Sequence, residues 1–448
     1  MYQVPRGMND ILPAEIGSWQ QLERLLRDFS YLYNVEEIRT PVLEHTGVFK
    51  RENDSSDMVN KEMYTFQLPG SSDSLTIRPE GTAGVVRSFV ENKLYASPDL
   101  PVKLFYIGPM ARHERPQKGR QRIFHQYGVE FLGTKSPFSD AEAIVMAYSI
   151  LKALGLNDLR VELNTLGSDA DRARYREALR EYFAPHVDEL CADCKRRYEQ
   201  NPLRILDCKI DGEKEIVKNA PLMKDYLSEE SKAYFQTVLD LLEALDIPYT
   251  IQDNLVRGLD YYTDTVFEIV SENKEMGAQS TILAGGRYDH LIPYFGGPEG
   301  MSGIGWAVGL ERLLIALQAE GLSLAEEPEM DAYVMVLDEE ARPYAFQLLC
   351  TLRANGFRAD MDQQGKGFKG QFKAATRAGA KTALLIGTTE LENGTATIKD
   401  LMKKEQQTVP YDEMCQTIDD MIHGEDEHDH AACDCGDPNC KGDHHHHE

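Results

Sequence analysis

Residues 255–263 read Leu-Val-Arg-Gly-Leu-Asp-Tyr-Tyr-Thr, and this stretch is the most informative one in the chain. It places Arg257, Tyr261 and Tyr262 within a short segment of marginal hydrophobicity. A buried charge costs several kcal/mol unless a partner group neutralises it. Core packing has little use for such a sequence, so we expect these side chains to contact a polar ligand.

The composition is that of an ordinary globular protein. The 448 residues suffice for roughly two or three domains, and 42% of them are hydrophobic and 27% charged. No apolar run approaches the roughly 18 residues that span a bilayer, and the N-terminus lacks the apolar stretch of a signal peptide. We therefore expect a cytoplasmic protein that makes no contact with a membrane.

The net charge of −26 disfavours indiscriminate binding to nucleic acids. The last 25 residues hold eight acidic residues against one lysine, so the rest of the chain keeps −19. Any contact with nucleic acid must therefore use a local basic patch, although an exposed helix face explains such a patch equally well. The most basic stretch consists of Lys366, Lys369, Lys373, Arg377 and Lys381.

Residues 1–318 contain short strands separated by turns, with few regular alternations of strand and helix. This pattern predicts an α+β domain in which helices flank an antiparallel sheet, with a charged helical insertion at about 169–245. The predicted helices are Trp19–Tyr33, Thr82–Lys93, Asp169–Gln200 and Ser228–Leu245. The predicted strands are Val35–Arg39, Ser74–Arg78, Val102–Gly108, Arg122–Gly133 and Val266–Ser271.

A glutamate-rich linker is expected at 319–330, followed by a second domain at 331–422. The segments of this domain alternate as strand, helix, strand, helix and strand, which predicts a small α/β domain with a largely parallel sheet. These segments are Asp331–Leu337, Glu340–Asn355, Arg358–Met361, Phe368–Ala378 and Lys381–Gly387. Residues 423–448 form an acidic tail rich in histidine and cysteine, whose composition predicts disorder.

The segment Arg78-Pro-Glu-Gly-Thr-Ala83 follows a predicted strand and opens a predicted helix. Gly81 and Thr82 would expose backbone N–H groups at the helix start, and Glu80 would place an acceptor beside them. This arrangement suits a small ligand. A simple helix cap with a solvated glutamate explains the same residues equally well.

An arginine-rich segment, residues 112–122, connects two predicted strands. Along the second strand, Gln126, Gly128 and Glu130 share one face because side chains alternate with a period of two. A core strand would carry apolar residues there, so the pattern favours a polar pocket over a solvated basic loop.

Two glycine-rich stretches complete the set of candidate site segments: Ala284-Gly-Gly-Arg-Tyr-Asp289, and residues 303–312, which end at Arg312. Helix packing explains the glycines as well as a ligand does, but it does not explain the arginine.

Together, these stretches over about residues 1–422 resemble the histidyl-tRNA synthetases, a family of class II aminoacyl-tRNA synthetases. Arg-Gly-Leu-Asp-Tyr-Tyr and Ala-Gly-Gly-Arg-Tyr-Asp carry the resemblance most specifically. It implies an antiparallel catalytic domain and an anticodon-binding α/β domain at 331–422. It also implies a homodimer formed through Val35–Phe49. The implied substrates are L-histidine, ATP with Mg²⁺, and tRNA(His).

The resemblance also assigns roles. Arg112 and Arg257 would be catalytic residues on either side of the α-phosphate of ATP. Arg112, Arg120 and Arg312 would bind ATP. The residues implied for histidine are Glu80, Gly81, Thr82, Arg112, Gln126, Glu130, Arg257, Tyr261 and Tyr262. Those implied for tRNA are Arg115, Gln117, Lys369 and Lys373.

The cysteines suggest metal binding or free thiols more than a disulfide framework. Cys191, Cys194 and Cys208 would need a fourth zinc ligand, for which the nearby choices are His186 and Asp207; free thiols are favoured there. The tail suits Zn²⁺, Ni²⁺ or Cu²⁺, although the remnant of an expression tag is an alternative. Its candidate ligands are His428, His430, Cys433, Cys435, Cys440 and His444.

Two other functions fit parts of the pattern. One is the synthetase-like regulatory subunit of ATP phosphoribosyltransferase, whose members lack the anticodon domain. The other is a signalling protein that senses uncharged tRNA, but the chain supplies no effector domain. Histidine-dependent exchange of pyrophosphate into ATP distinguishes an active synthetase from both.

Overall fold

The computed structural model describes residues 2–51, 58–117, 119–206, 208, 210–256, 261–273, 280–324 and 330–423. The chain divides into two compact units, Met1–Ala325 and Glu326–Glu448, and each is described here by itself. Among the described residues, no helix combines the length and the apolar character that crossing a bilayer requires.

The first unit contains an eight-stranded sheet in the order β1-β5-β6-β11-β10-β9-β7-β8 and a separate three-stranded sheet in the order β2-β4-β3. In chain order its elements are α1 (Pro13–Leu32), β1 (Glu36–Glu37), β2 (Leu43–His45), β3 (Tyr64–Gln67), β4 (Ser74–Ile77), α2 (Thr82–Glu91), β5 (Val102–Ala111), β6 (Ile123–Leu132), α3 (Pro137–Ala153), β7 (Leu159–Thr165), α4 (Asp169–Phe183), α5 (Ala192–Gln200), α6 (Glu215–Lys218), α7 (Glu229–Glu243), β8 (Tyr249–Ile251), β9 (Thr263–Ser271), β10 (Thr281–Tyr288), α8 (Leu291–Tyr294), β11 (Gly303–Gly309) and α9 (Leu310–Ala319).

The large sheet is antiparallel except at its two ends. There β1 pairs in parallel with β5, and β8 pairs in parallel with β7. The other neighbouring strands all pair antiparallel. The predicted antiparallel sheet flanked by helices is therefore confirmed, with parallel pairing only at the edges.

The two faces of the large sheet have different chemistry. On β6, Tyr127, Val129 and Phe131 are buried in the main hydrophobic core, which α1, α3, α7 and α9 also build. The alternate residues Gln126 and Glu130 point to the opposite face, since successive side chains of a strand alternate. One face is therefore covered by the main core, and the other combines these polar groups with a smaller hydrophobic cluster that includes Phe89 and Leu132.

The helical insertion has a small hydrophobic core of its own, which includes Tyr175 and Phe183 of α4 and Cys194 of α5. Helix α7, by contrast, packs into the main core through residues such as Val238 and Leu242. The part of the insertion with a separate core therefore ends before α7.

Several predicted boundaries differ from the structure. Helix α1 begins at Pro13, where proline suits the first helical turn because the missing N–H would have no partner there. The strand expected over Val35–Arg39 is reduced to Glu36–Glu37. The helix expected over Asp169–Gln200 is interrupted by a 3₁₀ helix, Ala184–Glu189, because Pro185 cannot continue an α-helix.

The second unit has a five-stranded sheet in the order β13-β12-β14-β15-β16. The first three of these strands are parallel, which confirms the predicted α/β alternation, while β15 and β16 add an antiparallel edge that the sequence did not predict. The elements of this unit are β12 (Met330–Val336), α10 (Arg342–Ala354), β13 (Ala359–Met361), α11 (Phe368–Arg377), β14 (Ala380–Ile386), α12 (Thr388–Asn393), β15 (Thr395–Asp400), β16 (Gln406–Pro410) and α13 (Met414–His423).

Candidate active site

The polar face of the large sheet carries a cavity of about 360 Å³. This volume lies in the range of sites for small molecules. Four segments that are distant in sequence build its walls: the start of α2, the hairpin β5–β6, the segment before β9, and the run from β10 through β11 to α9. The predicted site residues in these walls are Glu80, Thr82, Arg112, Arg120, Gln126, Tyr261, Tyr262 and Arg312.

Strand β11 gives the cavity its depth because its residues alternate in size. Ile304, Trp306 and Val308 are buried in the helix-covered core. The residues between them are small, and Gly305 lies opposite Glu130 in the register with β6. A Cβ atom on Gly305 would lie 1.7 Å from Oε2 of Glu130, so only glycine fits there.

Glu130 is a fully buried carboxyl group behind the cavity wall. It accepts hydrogen bonds from Oγ1 of Thr82, at 2.6 Å, and from the hydroxyl of Tyr288. Burial raises the pKa of Glu130 to about 8, because dry surroundings favour the neutral form. Thr82 lines the cavity, whereas Glu130 is not among the described residues that line it. The hydrogen bond from the Thr82 hydroxyl therefore connects Glu130 to the cavity.

Two hydrogen-bond acceptors in the cavity wall, on Glu80 and Gln126, are unsatisfied among the described residues. Oε1 of Glu80 accepts from the backbone N–H of Ala83 at 3.0 Å. Among the described residues, Oε2 of Glu80 and Oε1 of Gln126 are buried without a hydrogen-bond partner. Burial also raises the pKa of Glu80. Since buried polar atoms are normally satisfied, these two acceptors suit a ligand that donates N–H groups.

The cavity wall also carries three guanidinium groups, those of Arg112, Arg120 and Arg312. Arg112 donates from Nε to the carbonyl of Pro79 at 2.7 Å and lies 5.3 Å from the centre of the Phe124 ring. Arg112 and Arg120 share the carboxylate of Glu114, at 3.7 and 3.4 Å. Arg312 donates from Nη1 to the carbonyl of Thr281 at 2.7 Å. Guanidinium groups bind phosphate oxygens in pairs, so these three groups suit a polyanion.

A cluster of tyrosines closes one side of the cavity. The ring centre of Tyr261 lies 4.8 Å from that of Tyr262 and 5.8 Å from that of Tyr288. The guanidinium of Arg51 lies 4.8 Å from the centre of the Tyr261 ring. Arg257 falls in residues 257–260, outside the described part of the chain, so its role stays a prediction.

Gly81 contributes to the site by making room for another side chain. The ring of Tyr106 lies between Gly81 and Gly128, and a Cβ atom would come within 2.2 Å of it at Gly81 and 2.3 Å at Gly128. Tyr106 lines the cavity, but the sequence analysis did not single it out. Tyr106 could have been identified from the sequence because it lies opposite Gly128 in the hairpin.

Two further residues were missed. Tyr288 belongs to the motif Ala284–Asp289, but its contact with Glu130 depends on the sheet register. Arg51 lies in no recognisable pattern. The conspicuous arginine of that motif, Arg287, does not serve the cavity: it is fully buried and donates from Nε to Asp140 at 3.0 Å and from Nη1 to the carbonyl of Thr134 at 3.0 Å. Arg287 therefore links β10 to the start of α3 through its hydrogen bond to Asp140.

The residues predicted to contact tRNA are all exposed. Arg115 and Gln117 lie on the loop between β5 and β6. Two backbone hydrogen bonds between Gln117 and Arg120, of 3.1 and 2.9 Å, close the turn of this loop. In the second unit, Lys369 and Lys373 project from α11.

Helix α11 also exposes two aromatic rings that the sequence analysis did not use. Phe368 is 49% exposed and Phe372 is 37% exposed, with ring centres 6.3 Å apart. Exposed aromatic rings beside basic side chains are typical of surfaces that stack the bases of single-stranded RNA.

The cysteines of the insertion come together with a fourth residue that the sequence analysis did not choose. Asp211, rather than His186, joins Cys191, Cys194 and Cys208. Nδ1 of His186 lies 2.8 Å from Glu189 instead, and Asp207 lies outside the described residues. The predicted metal ligands of the tail also lie outside them.

Comparison with known proteins agrees with this geometry. The family model described as histidyl-tRNA synthetase matches residues 7–313, and the model described as anticodon binding domain matches residues 331–421. The histidine–tRNA ligase of Geobacillus thermodenitrificans is 49% identical over 418 residues, which cover 93% of this chain and 98% of the relative. That of Bacillus velezensis is 48% identical with the same coverage. The crystal structure of apo S. aureus histidyl-tRNA synthetase has a TM-score of 0.80 and 41% identity, and covers 93% of this chain and 100% of that one.

Proposed function

The chain belongs to the histidyl-tRNA synthetase family, and from this premise we propose how its cavity divides between histidine and ATP. The enzyme activates L-histidine with ATP to histidyl-adenylate and pyrophosphate, and then transfers the histidyl group to the 3′ end of tRNA(His). One observation carries the division: the cavity wall holds unsatisfied acceptors on Glu80 and Gln126 and also three guanidinium groups. We assign the part lined by the acceptors, called the first end, to histidine and the part lined by the guanidinium groups, called the second end, to ATP.

At the first end, Glu80 and Gln126 bind the α-ammonium group of histidine, because their buried oxygens require N–H donors. Thr82, Glu130 and Tyr262 recognise the imidazole, with Tyr261 beside them. Glu130 acts on the imidazole through Thr82: the Thr82 hydroxyl donates to Glu130, so its oxygen is oriented to accept from a ring N–H. A site that satisfies both ring nitrogens rejects apolar analogues strongly, by about 10⁴-fold in favourable cases.

At the second end, Arg112 binds the α-phosphate, with Arg257 on its other side, and Arg120 and Arg312 hold the terminal phosphates. A carboxylate oxygen of histidine forms a bond to the α-phosphorus, the bond to the β-phosphate oxygen breaks, and its electron pair leaves with pyrophosphate. Negative charge grows on the non-bridging and leaving oxygens during this step. Fixed guanidinium groups stabilise that charge without reorganising.

ATP brings Mg²⁺ with it, and the cavity wall offers oxygen ligands for the ion. Glu114 and Glu268 line the cavity on the side of the guanidinium groups. Since Mg²⁺ usually binds through one or two carboxylates together with phosphate oxygens, these two glutamates fit the ion. The ion would neutralise part of the phosphate charge and so assist departure of pyrophosphate.

The assignment of the cavity to histidine and ATP can be tested with Glu80→Gln and Arg312→Met. For each variant, the KM for histidine and the KM for ATP are measured in histidine-dependent ATP–pyrophosphate exchange. We expect Glu80→Gln to raise KM for histidine by about 10- to 100-fold, since a hydrogen bond to a charged group contributes about 1.5–3 kcal/mol. Its KM for ATP should not change. Arg312→Met should show the reverse pattern.

The exposed Glu181 on α4 supplies a matched control, and Glu181→Gln should leave both constants unchanged. An unchanged KM for histidine in Glu80→Gln would refute the assignment of the first end. Complete absence of exchange in the unmodified protein would instead favour a regulatory or tRNA-sensing role.

For tRNA, we propose that the loop between β5 and β6 contacts the acceptor end. Gln117 would read the extra 5′ guanosine of tRNA(His), and Arg115 would bind phosphates, since polar side chains read base edges and basic ones hold the backbone. The second unit binds the anticodon through α11. Its exposed phenylalanines and lysines support this assignment.

We also propose that the enzyme acts as a homodimer in the cytoplasm. The segment Val35–Phe49 exposes large apolar side chains, among which Val42 is 44% and Leu43 is 45% exposed. Burying this surface against a second copy would remove it from water. Sedimentation of Leu43→Asp checks the interface: a stable dimer in that variant would move the interface elsewhere.

The tail is proposed to bind Zn²⁺ or Ni²⁺ through His428, His430, Cys433, Cys435, Cys440 and His444, because histidine, cysteine and carboxylate together suit these ions. A competition titration with a metal indicator compares the full chain with a chain that ends at residue 422. Equal metal stoichiometry in the two would exclude metal binding by the tail.

A further inference from the structure

Three cysteines and one aspartate converge at one point of the helical insertion. Cys191 caps the N-terminus of α5 and Cys194 lies in its first turn, while Cys208 and Asp211 lie on the turns that follow. The four ligand atoms all lie within 4.8 Å of one another. We propose that these four side chains form a tetrahedral Zn²⁺ site that stabilises the insertion.

The sulfur spacing fits a metal better than a disulfide. The Sγ atoms of Cys191 and Cys208 lie 3.8 Å apart. Two sulfurs that each lie about 2.3 Å from one zinc ion at tetrahedral angles are separated by about 3.8 Å. A disulfide joins its sulfurs at about 2.05 Å and would leave the third thiol and the aspartate without a function.

The backbone around the cluster already faces the ligand atoms. The N–H of Cys194 faces the sulfur of Cys191, and the N–H groups of Ile210 and Asp211 face the sulfur of Cys208, with 3.4 Å from the nitrogen of Asp211. The N–H of Cys191 donates to Oδ2 of Asp211 at 2.8 Å. Such contacts orient ligands and stabilise anionic sulfur, as outer contacts do at metal sites.

As zinc ligands the three cysteines would be thiolates, and the cation would compensate their charge. Three thiolates and one carboxylate would carry four negative charges, and the nearby Lys214, whose Nζ lies 2.7 Å from Oδ1 of Asp211, supplies one positive charge. Soft sulfur ligands select Zn²⁺ over Mg²⁺ or Ca²⁺.

The site is also closed, which indicates a structural metal. Cys194 and Asp211 are fully buried, Cys208 is 8% exposed, and Cys191 is half-buried at the edge of the cluster. Four protein ligands leave no open position for a substrate. Cys194 and Cys208 both belong to the small core of the insertion, and small cores commonly depend on a metal for stability.

The test uses the full chain with Cys433, Cys435 and Cys440 changed to serine, so that the tail offers no thiolate. Cobalt(II) is the probe, because thiolate ligands give it a charge-transfer absorption that histidine and carboxylate ligands do not. We expect this absorption to appear on adding Co²⁺ and to vanish when Zn²⁺ displaces the cobalt. Since the insertion itself is unchanged, failure to observe the band would overturn the proposal.

Two further variants in this background locate the ligands. Cys194→Ser should lose the absorption, while Cys350→Ser, which removes an exposed thiol from α10 in the second unit, should keep it. Asp211→Asn keeps all three thiolates and should weaken zinc binding by about 10-fold or more. Unchanged affinity in Asp211→Asn, or a full band in Cys194→Ser, would refute the four-ligand site.

Discussion

At the scale of single residues, the carboxyl group of Glu130 gives the protein a pH dependence that needs no substrate to be observed. Its pKa is about 8 in the folded protein, against 4.5 for an ordinary glutamate. Between these pH values the unfolded chain has lost this proton and the folded protein still holds it. The free energy of unfolding therefore falls as pH rises from about 4.5 to about 8.

Replacing Glu130 by glutamine removes this dependence. Glutamine cannot ionise, so relative to the unmodified protein Glu130→Gln should gain stability from pH 5 to pH 8, on the order of 3 kcal/mol. Denaturant unfolding at the two pH values measures the gain. The control Glu181→Gln should follow the unmodified protein, and parallel pH curves for Glu130→Gln would contradict the raised pKa. The same variant should lose histidine-dependent exchange.

At the scale of elements, the residues of strand β11 alternate between large side chains buried in the core and small residues, such as Gly305, that leave room on the cavity side. Gly305→Ala places a methyl group against the carboxyl group of Glu130, so neighbouring strands must shift. We expect it to destabilise the protein by about 1–3 kcal/mol and to raise KM for histidine. Denaturant unfolding and pyrophosphate exchange measure the two effects.

Gly309, in the same strand, provides the matched control. A Cβ atom there would meet its nearest neighbour, Cβ of Arg312, only at 4.0 Å. Gly309→Ala should therefore be tolerated in the unfolding measurement. Equal effects of the two substitutions would show that β11 responds to lost glycine flexibility and not to the close approach at Gly305.

The element scale also shows what the sequence could predict. The period of two along β6 placed Gln126 and Glu130 on one face, and the alternation over 331–387 predicted the parallel part of the second sheet. Arg51 could not be found in this way, because tertiary packing alone brings it to the ring of Tyr261. Tyr106 required the strand register that places it opposite Gly128. Asp211 follows Cys208 by three residues, just as Cys194 follows Cys191 by three. This repeated spacing was the sequence signal for Asp211 as the fourth ligand, in place of His186 or Asp207.

At the scale of the whole molecule, binding of tRNA has to overcome a net charge of −26. We expect Lys369→Gln/Lys373→Gln to weaken binding of tRNA(His) and to reduce the slope of log affinity against log salt concentration by about 1.4, since each contact with a single-stranded phosphate contributes about 0.7. Pyrophosphate exchange should not change, because the cavity keeps all its residues. Filter binding over a range of salt concentrations measures the slope.

The pair Lys403→Gln/Lys404→Gln makes the same change in net charge within the same unit, at exposed positions outside α11. If binding responds to net charge alone, both double variants will reduce affinity equally. A larger loss for the α11 pair indicates a local contact.

The buried carboxyl group of Glu130 affects how the enzyme binds histidine. An empty enzyme near neutral pH carries a proton on Glu130, and the incoming amino acid carries an imidazole that titrates in the same range. On the proposed division of the cavity, the hydroxyl of Thr82 connects these two groups, so substrate uptake is coupled to exchange of protons with the buffer. The calorimetric heat of histidine binding should accordingly vary with the ionisation enthalpy of the buffer chosen.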